Sequence, residues 1–458
     1  MENPPNIAFI HKVAADLTGR TTVQGRTHSF RCLKEGDEVH FWYLGRGKRR
    51  YNKIDQVVIH SDHSSVQCQY FGICGGCSGQ HIPYEEQFSI KTNLLAENYK
   101  DNWEIKPELI PASTPYHYRN RMDFAIFPGK SGLRESGNFR KLVDVETCLI
   151  QSKWADTEWN LIRSYIIAHP EIPLNRKSEE GFLKYVTIRY SFSTEDSMVI
   201  FTIDKALEGC DGEKELEAWL LEHSTAKNII FCYNPRPSEV SAFGSFKVVK
   251  GNSSYEEKIL DQTLQVPFDS FFQPNPRQFE PILHEIQKWI QEWQPENLID
   301  LFCGGGFFSI LFGKYFEKIY GYEVNKASIA TATEIVSSLY ADKESSFESI
   351  DLFQKKFIPK FIESFESRNL DPSKTFLILD PPRNGAGSFM LDWIENSNIK
   401  YIAYVSCNPK GQYDEIMKSI GKSYTPVRVL MTDPYPHTPH LESLVILEKK
   451  KVVVDFKF

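Results

Sequence analysis

Two residues far apart in the chain have the types and settings needed for covalent chemistry. Cys407 stands in YIAYVSCNPK, past an apolar run that reads as a strand and directly before Asn-Pro. Glu442 heads the last apolar run, in HTPHLESLVILE. C5 of uracil is a poor nucleophile toward a methyl sulfonium. A thiolate that adds at C6 turns the ring into an enolate, and C5 can then attack. The C5 proton must afterwards be taken by a positioned base, a task suited to a carboxylate. A lone cysteine is more often a packing residue, and a carboxylate at a loop end is more often solvated. Position argues for chemistry here, because ligands of open α/β sheets bind beyond the carboxyl ends of the strands.

The methyl donor has its own signature. NLIDLFCGGGFFSI places Asp300 and the turn Gly304-Gly305-Gly306 between a strand and a helix, where glycines let backbone N–H groups approach a ligand closely. Glu323, 19 residues past Gly304 and at the end of the next strand, is placed to accept both hydroxyls of a ribose. The phosphate-binding pattern G-x-G-x-x-G is absent. S-adenosylmethionine, which needs no phosphate cradle, fits this arrangement. In LILDPPRNGAG, two prolines after Asp380 stiffen the loop at a third strand end.

A different chemistry is suggested by CQYFGICGGC, which sets Cys68, Cys74 and Cys77 within ten residues. Nine unevenly spread cysteines do not form a disulfide framework, so the cluster points to metal. Spacing alone leaves zinc and an iron–sulfur cluster open. The first gap, five residues, departs from the C-x3-C-x2-C of radical S-adenosylmethionine enzymes.

The chain must supply elements that hold these groups. Its 458 residues suffice for two or three domains, and 41% hydrophobic with 25% charged residues is ordinary for a soluble protein. No secretory leader and no membrane-length apolar run is seen, so a cytoplasmic protein is expected, acting as a monomer. The net charge of −7 disfavours indiscriminate nucleic-acid binding. Residues 1–60 are an exception, with ten Lys/Arg against six Asp/Glu. Their basic run includes Arg46, Lys48, Arg49, Arg50 and Lys53 and is suited to phosphates, or is simply a solvated edge. Short alternating runs there predict a small antiparallel barrel over 1–62. Residues 63–265 read as a β-rich α+β central domain carrying the cysteine cluster. Over 266–458, NLIDLF, KIYGYEV, TFLILD, YIAYVSC and SLVILE alternate with helical stretches, which predicts a Rossmann-like α/β domain with a mainly parallel sheet.

Taken in order, these motifs resemble the RNA uracil-5 methyltransferase family, in particular its ribosomal-RNA branch with an iron–sulfur cluster. The resemblance spans nearly the whole chain through CQYFGICGGC, YRNRMDFAI, NFRKLVDVETC, FFQPN, DLFCGGG, DPPRNG, SCNP and HTPHLE. It implies a TRAM/OB-like RNA-binding barrel at the N-terminus, Cys407 as nucleophile and Glu442 as proton-abstracting base. It implies S-adenosylmethionine bound by Gln273, Phe302, Gly304, Gly306, Glu323, Asp351 and Asp380. Phe307 departs from the small polar residue common in relatives. Cys148 joins Cys68, Cys74 and Cys77 as fourth ligand of a 4Fe–4S cluster. The implied substrate is a uridine of 23S rRNA, with tRNA as the alternative. Readings of another class are a noncatalytic iron–sulfur protein that binds RNA or senses redox state, and methylation of a different base. Retention of both Cys407 and Glu442 argues against the first. A thiol beside the proline loop, followed by Arg383 where an aromatic residue is usual, argues against an amine methyltransferase.

Overall fold

The apolar runs assemble two packed units. The computed structural model describes residues 4–45, 50–63, 65–175, 177–178 and 180–450. One unit comprises Met1–Lys91, Ala112–Pro276 and Tyr435–Pro439, the other Thr92–Pro111, Arg277–Pro434 and His440–Phe458.

The first unit begins with β1 (Asn6–Phe9), β2 (Lys12–Val13), β3 (Gly19–Val23), β4 (Arg26–Phe30), β5 (Glu38–Leu44) and β6 (Tyr51–Val58). They form two antiparallel three-stranded sheets, β1-β5-β6 and β2-β3-β4. Alternation along them buries Ile10, Phe30, Leu33, Val39 and Phe41 in a common core, as a half-exposed sheet requires. This is the small β-rich domain expected from the sequence. Arg46, Lys48 and Arg49 of the basic run lie outside the described residues. Arg50 and Lys53 stand over the rings of Tyr43 and Trp42, at 5.7 and 5.2 Å.

The division between units runs through α1 (Tyr84–Trp103), and β7 (Glu108–Ile110) follows it in the second unit. The first unit resumes with β8 (Arg121–Phe127), β9 (Lys130–Glu135), β10 (Asn138–Asp144), α2 (Lys153–Ala168), β11 (Leu183–Tyr190) and β12 (Ser197–Asp204). It continues with α3 (Asp211–His223), β13 (Asn228–Asn234), β14 (Ser245–Lys250) and the hairpin β15 (Ser254–Ile259) and β16 (Gln262–Pro267). A seven-stranded sheet runs β10-β9-β8-β11-β12-β13-β14, antiparallel except between β12 and β13. Its central strands are buried along nearly their whole length, and Trp159 of α2 lies flat on Phe124 at 3.8 Å.

The second unit carries α4 (Pro276–Trp293), β17 (Asn297–Leu301), α5 (Phe307–Phe312), β18 (Lys318–Glu323), α6 (Lys326–Leu339), β19 (Glu344–Ser349) and α7 (Ile358–Ser367). Then come β20 (Thr375–Leu379), α8 (Ser388–Asn396), β21 (Tyr401–Ser406), α9 (Pro409–Lys418), β22 (Tyr424–Thr432) and β23 (Glu442–Lys449). The eight-stranded sheet is ordered β19-β18-β17-β20-β21-β23-β22-β7 and is parallel from β19 to β21. The mainly parallel α/β reading therefore holds, with β23 inserted antiparallel to both β21 and β22. Strand order reverses between β17 and β20, which makes the carboxyl ends of these strands the natural ligand crevice.

The sequence reading placed residues 92–111 in the central domain, whereas they pack in the second unit. There β7 pairs with β22, Leu109 opposite Met431, and Arg428 donates to both Glu108 and Glu285. Three residues of ELI make too short a run to reveal which sheet they extend. Among the described residues no helix is long and apolar enough to cross a membrane.

Candidate active site and cysteine cluster

Sheet register brings the two reactive residues of the second unit together. The last registered pair between β21 and β23 is Ser406 opposite Ser443. One step beyond it on each strand stand Cys407 and Glu442. The end of the pair is locked from below. Ser443 Oγ donates to Gln412 Oε1 at 2.7 Å, and Gln412 Nε2 donates to the Tyr404 carbonyl at 2.7 Å. Glu442 is buried and Cys407 half-buried. Burial pushes the Cys407 thiol up, the Glu442 carboxylate adds to this, and the Arg383 guanidinium opposes both. Cys407 and Asn408 immediately precede α9, with Asn408 accepting from Gly411 N at its N-terminus.

Arg383 belongs to the DPPRNG loop, which the structure fixes against α9. Gly385 has φ +83°, and a Cβ there would lie 2.0 Å from Glu415 Oε1. Ala386 N donates to the Glu415 carboxylate, and the Tyr404 hydroxyl donates to the same group. Asn408 Nδ2 donates to the Arg383 carbonyl at 3.2 Å. The sequence reading noted Arg383 only as an unusual residue and did not include Glu415. The signal that was available is a cation directly after a proline pair, followed by Asn-Gly.

At the neighbouring strand ends, the chain turns sharply after β17. Phe302, Gly304 and Gly306 have φ values of +61°, +52° and +84°, so the turn is left-handed at three points. A Cβ built on Gly304 or Gly305 meets no atom within 4 Å, so the turn faces open space. Below it, Asp300 Oδ2 accepts from Ser309 N and Oγ at 3.2 and 2.7 Å, while Oδ1 is buried without a partner among the described residues. Burial pushes Asp300 up to about 7, with the Glu323 charge contributing. Asp380 is likewise raised to about 7, by burial and then by Asp300. Glu323 Oε1 accepts from Asn325 N, and Asp351 Oδ1 accepts from Phe353 N. The Phe302 and Phe353 rings lie 5.3 Å apart. Thus Phe302, Gly304, Gly306, Glu323, Asp351 and Asp380 are all residues of the second unit. Gln273 is a residue of the first, where its carbonyl accepts from Asn120 Nδ2 at 3.0 Å.

All four candidate metal ligands lie in the first unit. Burial raises the Cys77 thiol to about 12, and the charges of Cys148, Cys74 and Cys68 add to it. Burial likewise raises Cys148 to about 12, with Cys74 and Cys68 acting on it. Gly76 N donates to Cys74 Sγ at 3.4 Å, and the rise is opposed by the Tyr70 and Phe71 N–H groups at Cys68, by the Gln80 side chain at Cys77 and by the Ile150 and Gln151 N–H groups at Cys148. Among the described residues, no three His, Cys, Asp or Glu side chains close on a single ion.

A mainly parallel α/β sheet with a glycine turn and acidic strand ends is the architecture of S-adenosylmethionine-dependent methyltransferases. Comparison with known proteins agrees. The model of the tRNA (uracil-5-)-methyltransferase family matches residues 256–450. A protein of Leptospira interrogans named as an uncharacterized RNA methyltransferase is 42% identical over 417 residues, covering 91% of this chain and 90% of its own. The tRNA (uracil(54)-C(5))-methyltransferase of Pyrococcus horikoshii is 28% identical, covering 89% of this chain and 92% of its own. The crystal structure of Pyrococcus abyssi tRNA (uracil-54, C5)-methyltransferase with S-adenosyl-L-homocysteine has a TM-score of 0.72 at 24% identity. It covers 96% of this chain and 100% of its own, and shares the fold. The chain belongs to the S-adenosylmethionine-dependent RNA methyltransferases, and its residues 256–450 match the tRNA (uracil-5-)-methyltransferase family.

Proposed function

We propose that methyl transfer to C5 of an RNA uridine proceeds through a covalent bond between Cys407 and C6. The observation that carries this reading is the register of β21 and β23, which sets the thiol and the Glu442 carboxylate side by side at a strand end. The Cys407 thiolate adds to C6, and the ring electrons move onto C5 and the O4 carbonyl. S-adenosylmethionine supplies the methyl group as a sulfonium, and the C5–methyl bond forms as the sulfonium bond breaks. Glu442 then takes the C5 proton, the Cys407–C6 bond breaks, and the thiolate is restored. Arg383 stabilises the thiolate before attack. The uridine has to be turned out of any stack to reach Cys407.

The left-handed turn, its open front and the unpartnered Asp300 Oδ1 fit S-adenosylmethionine. Phe302, Gly304, Gly306 and Asp380 would hold it, with Glu323 at the ribose hydroxyls and Asp351 at the adenine. Gln273 joins this set on the strength of the resemblance.

The resemblance assigns Cys68, Cys74, Cys77 and Cys148 to a 4Fe–4S cluster, with zinc as the alternative. A single zinc ion needs four sulfurs about 2.3 Å from one point. A cluster gives each thiolate its own iron. The cluster's contribution is structural, tying residues 68–77 to Cys148. The N-terminal sheets serve as a TRAM-like RNA-binding domain.

The substrate implied by the motif order is a uridine of 23S rRNA. A second reading, tRNA uracil-54, is favoured by the activity for which the Pyrococcus horikoshii relative is named. Nucleoside mass mapping of ribosomal and transfer RNA from cells with and without the gene separates the two. The mechanism is tested with RNA containing 5-fluorouridine, whose C5 substituent cannot leave as a proton. A stable protein–RNA adduct is expected that requires Cys407 and S-adenosylmethionine. An adduct formed by Cys407→Ala overturns the assignment, and so does rapid product release by Glu442→Gln.

A further inference from the structure

A broad cavity of about 920 Å³ opens on the seven-stranded sheet of the first unit, outside every group used above. Its wall includes Phe127, Arg134, Phe139, Arg140, Lys177 and Tyr185. Two of its sides come from the hairpin β9–β10, which has an irregular register. Glu135 pairs with Asn138, but Arg134 pairs with Leu142, so Phe139, Arg140 and Lys141 bulge out of the ladder. Bulges re-aim side chains and gather at functional sites. The side chain of Phe139 is correspondingly 83% exposed, far beyond what a packing phenylalanine tolerates.

The charges of the wall are arranged for an anion beside an aromatic. The Arg134 guanidinium lies over the Phe127 ring at 4.9 Å and donates to the Phe139 carbonyl at 2.7 Å. Arg140 and Lys177 are exposed at the rim. Asp123 and Glu239 also line the cavity, but the wall itself occupies them. Asp123 accepts from Arg121, Thr187 and Ser241, and Glu239 accepts from Tyr185 and Arg134. Among the described residues, neither Arg140 nor Lys177 has a side-chain partner. Aromatic faces next to Arg and Lys hold single-stranded nucleic acid by stacking bases and neutralising phosphates. A duplex keeps its bases stacked on one another and has none to offer Phe139.

We propose that this cavity binds an unpaired nucleotide of the substrate RNA, its base on Phe139 and its phosphates on Arg140 and Lys177, at a site separate from that of the reacting uridine. The inference rests on the chain acting on RNA. It adds a second point of recognition that selects single-stranded flanks.

The test measures binding of a fluorescein-labelled single-stranded RNA of mixed sequence, and of the same sequence as duplex, to the full chain. Phe139→Ala is expected to weaken single-strand binding roughly 10-fold and leave duplex binding unchanged. Arg140→Ala should lower the slope of log affinity against log salt by about 0.7 for the single strand. With RNA as methyl acceptor, both variants should raise KM for RNA while kcat at saturation stays within about 2-fold. Unchanged single-strand affinity overturns the proposal. So does an equal loss on duplex, which marks a general phosphate surface, or a fall in kcat with KM unaltered. Methyl transfer by the unmodified chain is scored separately, so failure of the uridine chemistry is told apart from failure of this site.

Discussion

Cys407 is subject to opposing influences. Burial and the Glu442 charge raise its thiol, and Arg383 lowers it. In the proposed mechanism the thiolate attacks, so activity should climb with pH as the thiol ionises, and anything that raises the thiol moves that limb to higher pH. Removing the cation by Arg383→Ala is therefore expected to displace the ascending limb of kcat/KM upward in pH, with partial return in Arg383→Lys. An unmoved limb would separate Arg383 from thiol activation. Cys407 and Glu442 were legible in the sequence as candidates because one follows and the other heads a clear apolar run, and the strand end is where sheet ligands bind. Arg383 and Glu415 were not, because their placement depends on a loop that curls at Gly385 around a carboxylate from the next helix. No periodicity encodes that contact.

Among the elements, the β9–β10 hairpin is fastened at both ends by the cysteine segments. Cys74 makes a β-bridge with Glu135, Gly75 N donates to the Arg134 carbonyl, and Ser136 N donates to the Ile73 carbonyl. Beyond β10, Trp159 Nε1 donates to the Val145 carbonyl, and Cys148 follows three residues later. Cys148→Ser should accordingly speed amide exchange at Ser136 and Gly75, with exchange in β17 and β20 unaltered. Equal protection in the variant would show that the cysteines do not brace the hairpin. Strands rich in Val, Ile and Leu, such as β17, β20 and β21, were readable as buried runs. By contrast β19, with the sequence ESSFES, carries too few apolar residues to announce itself, and its pairing is supplied by β18. The bulge at Phe139–Lys141 was equally invisible, since it is a property of register against β9 and not of composition.

Viewed whole, the molecule does not divide at a point in its sequence. The first unit takes in Tyr435–Pro439 from near the end of the chain. His437 O accepts from Ser78 N and Gly79 N at 2.8 and 3.0 Å, and Gln87 Oε1 accepts from His437 N at 3.0 Å. Tyr118 OH donates to the Pro436 carbonyl, and the Tyr116 ring lies 4.6 Å from that of His437. Buried amides left without such acceptors destabilise by about 1–3 kcal/mol each. Residues 1–276 expressed alone should therefore unfold at lower denaturant than the first unit does in the full chain, with rapid exchange at Ser78 and Gly79. Matching midpoints and matching protection would refute this. A sequence boundary near 265 could not reveal the borrowing, because DPYPHTP carries no apolar period to tie it to either unit.

The borrowed segment also bears on biosynthesis. A chain emerging from the ribosome makes the cysteine loop early but must translate residues 277–434 before His437 exists to receive the amides that follow Cys77. Completion thus runs opposite to synthesis, and the loop that carries Cys68, Cys74 and Cys77 stays open until the segment between β22 and β23 is made.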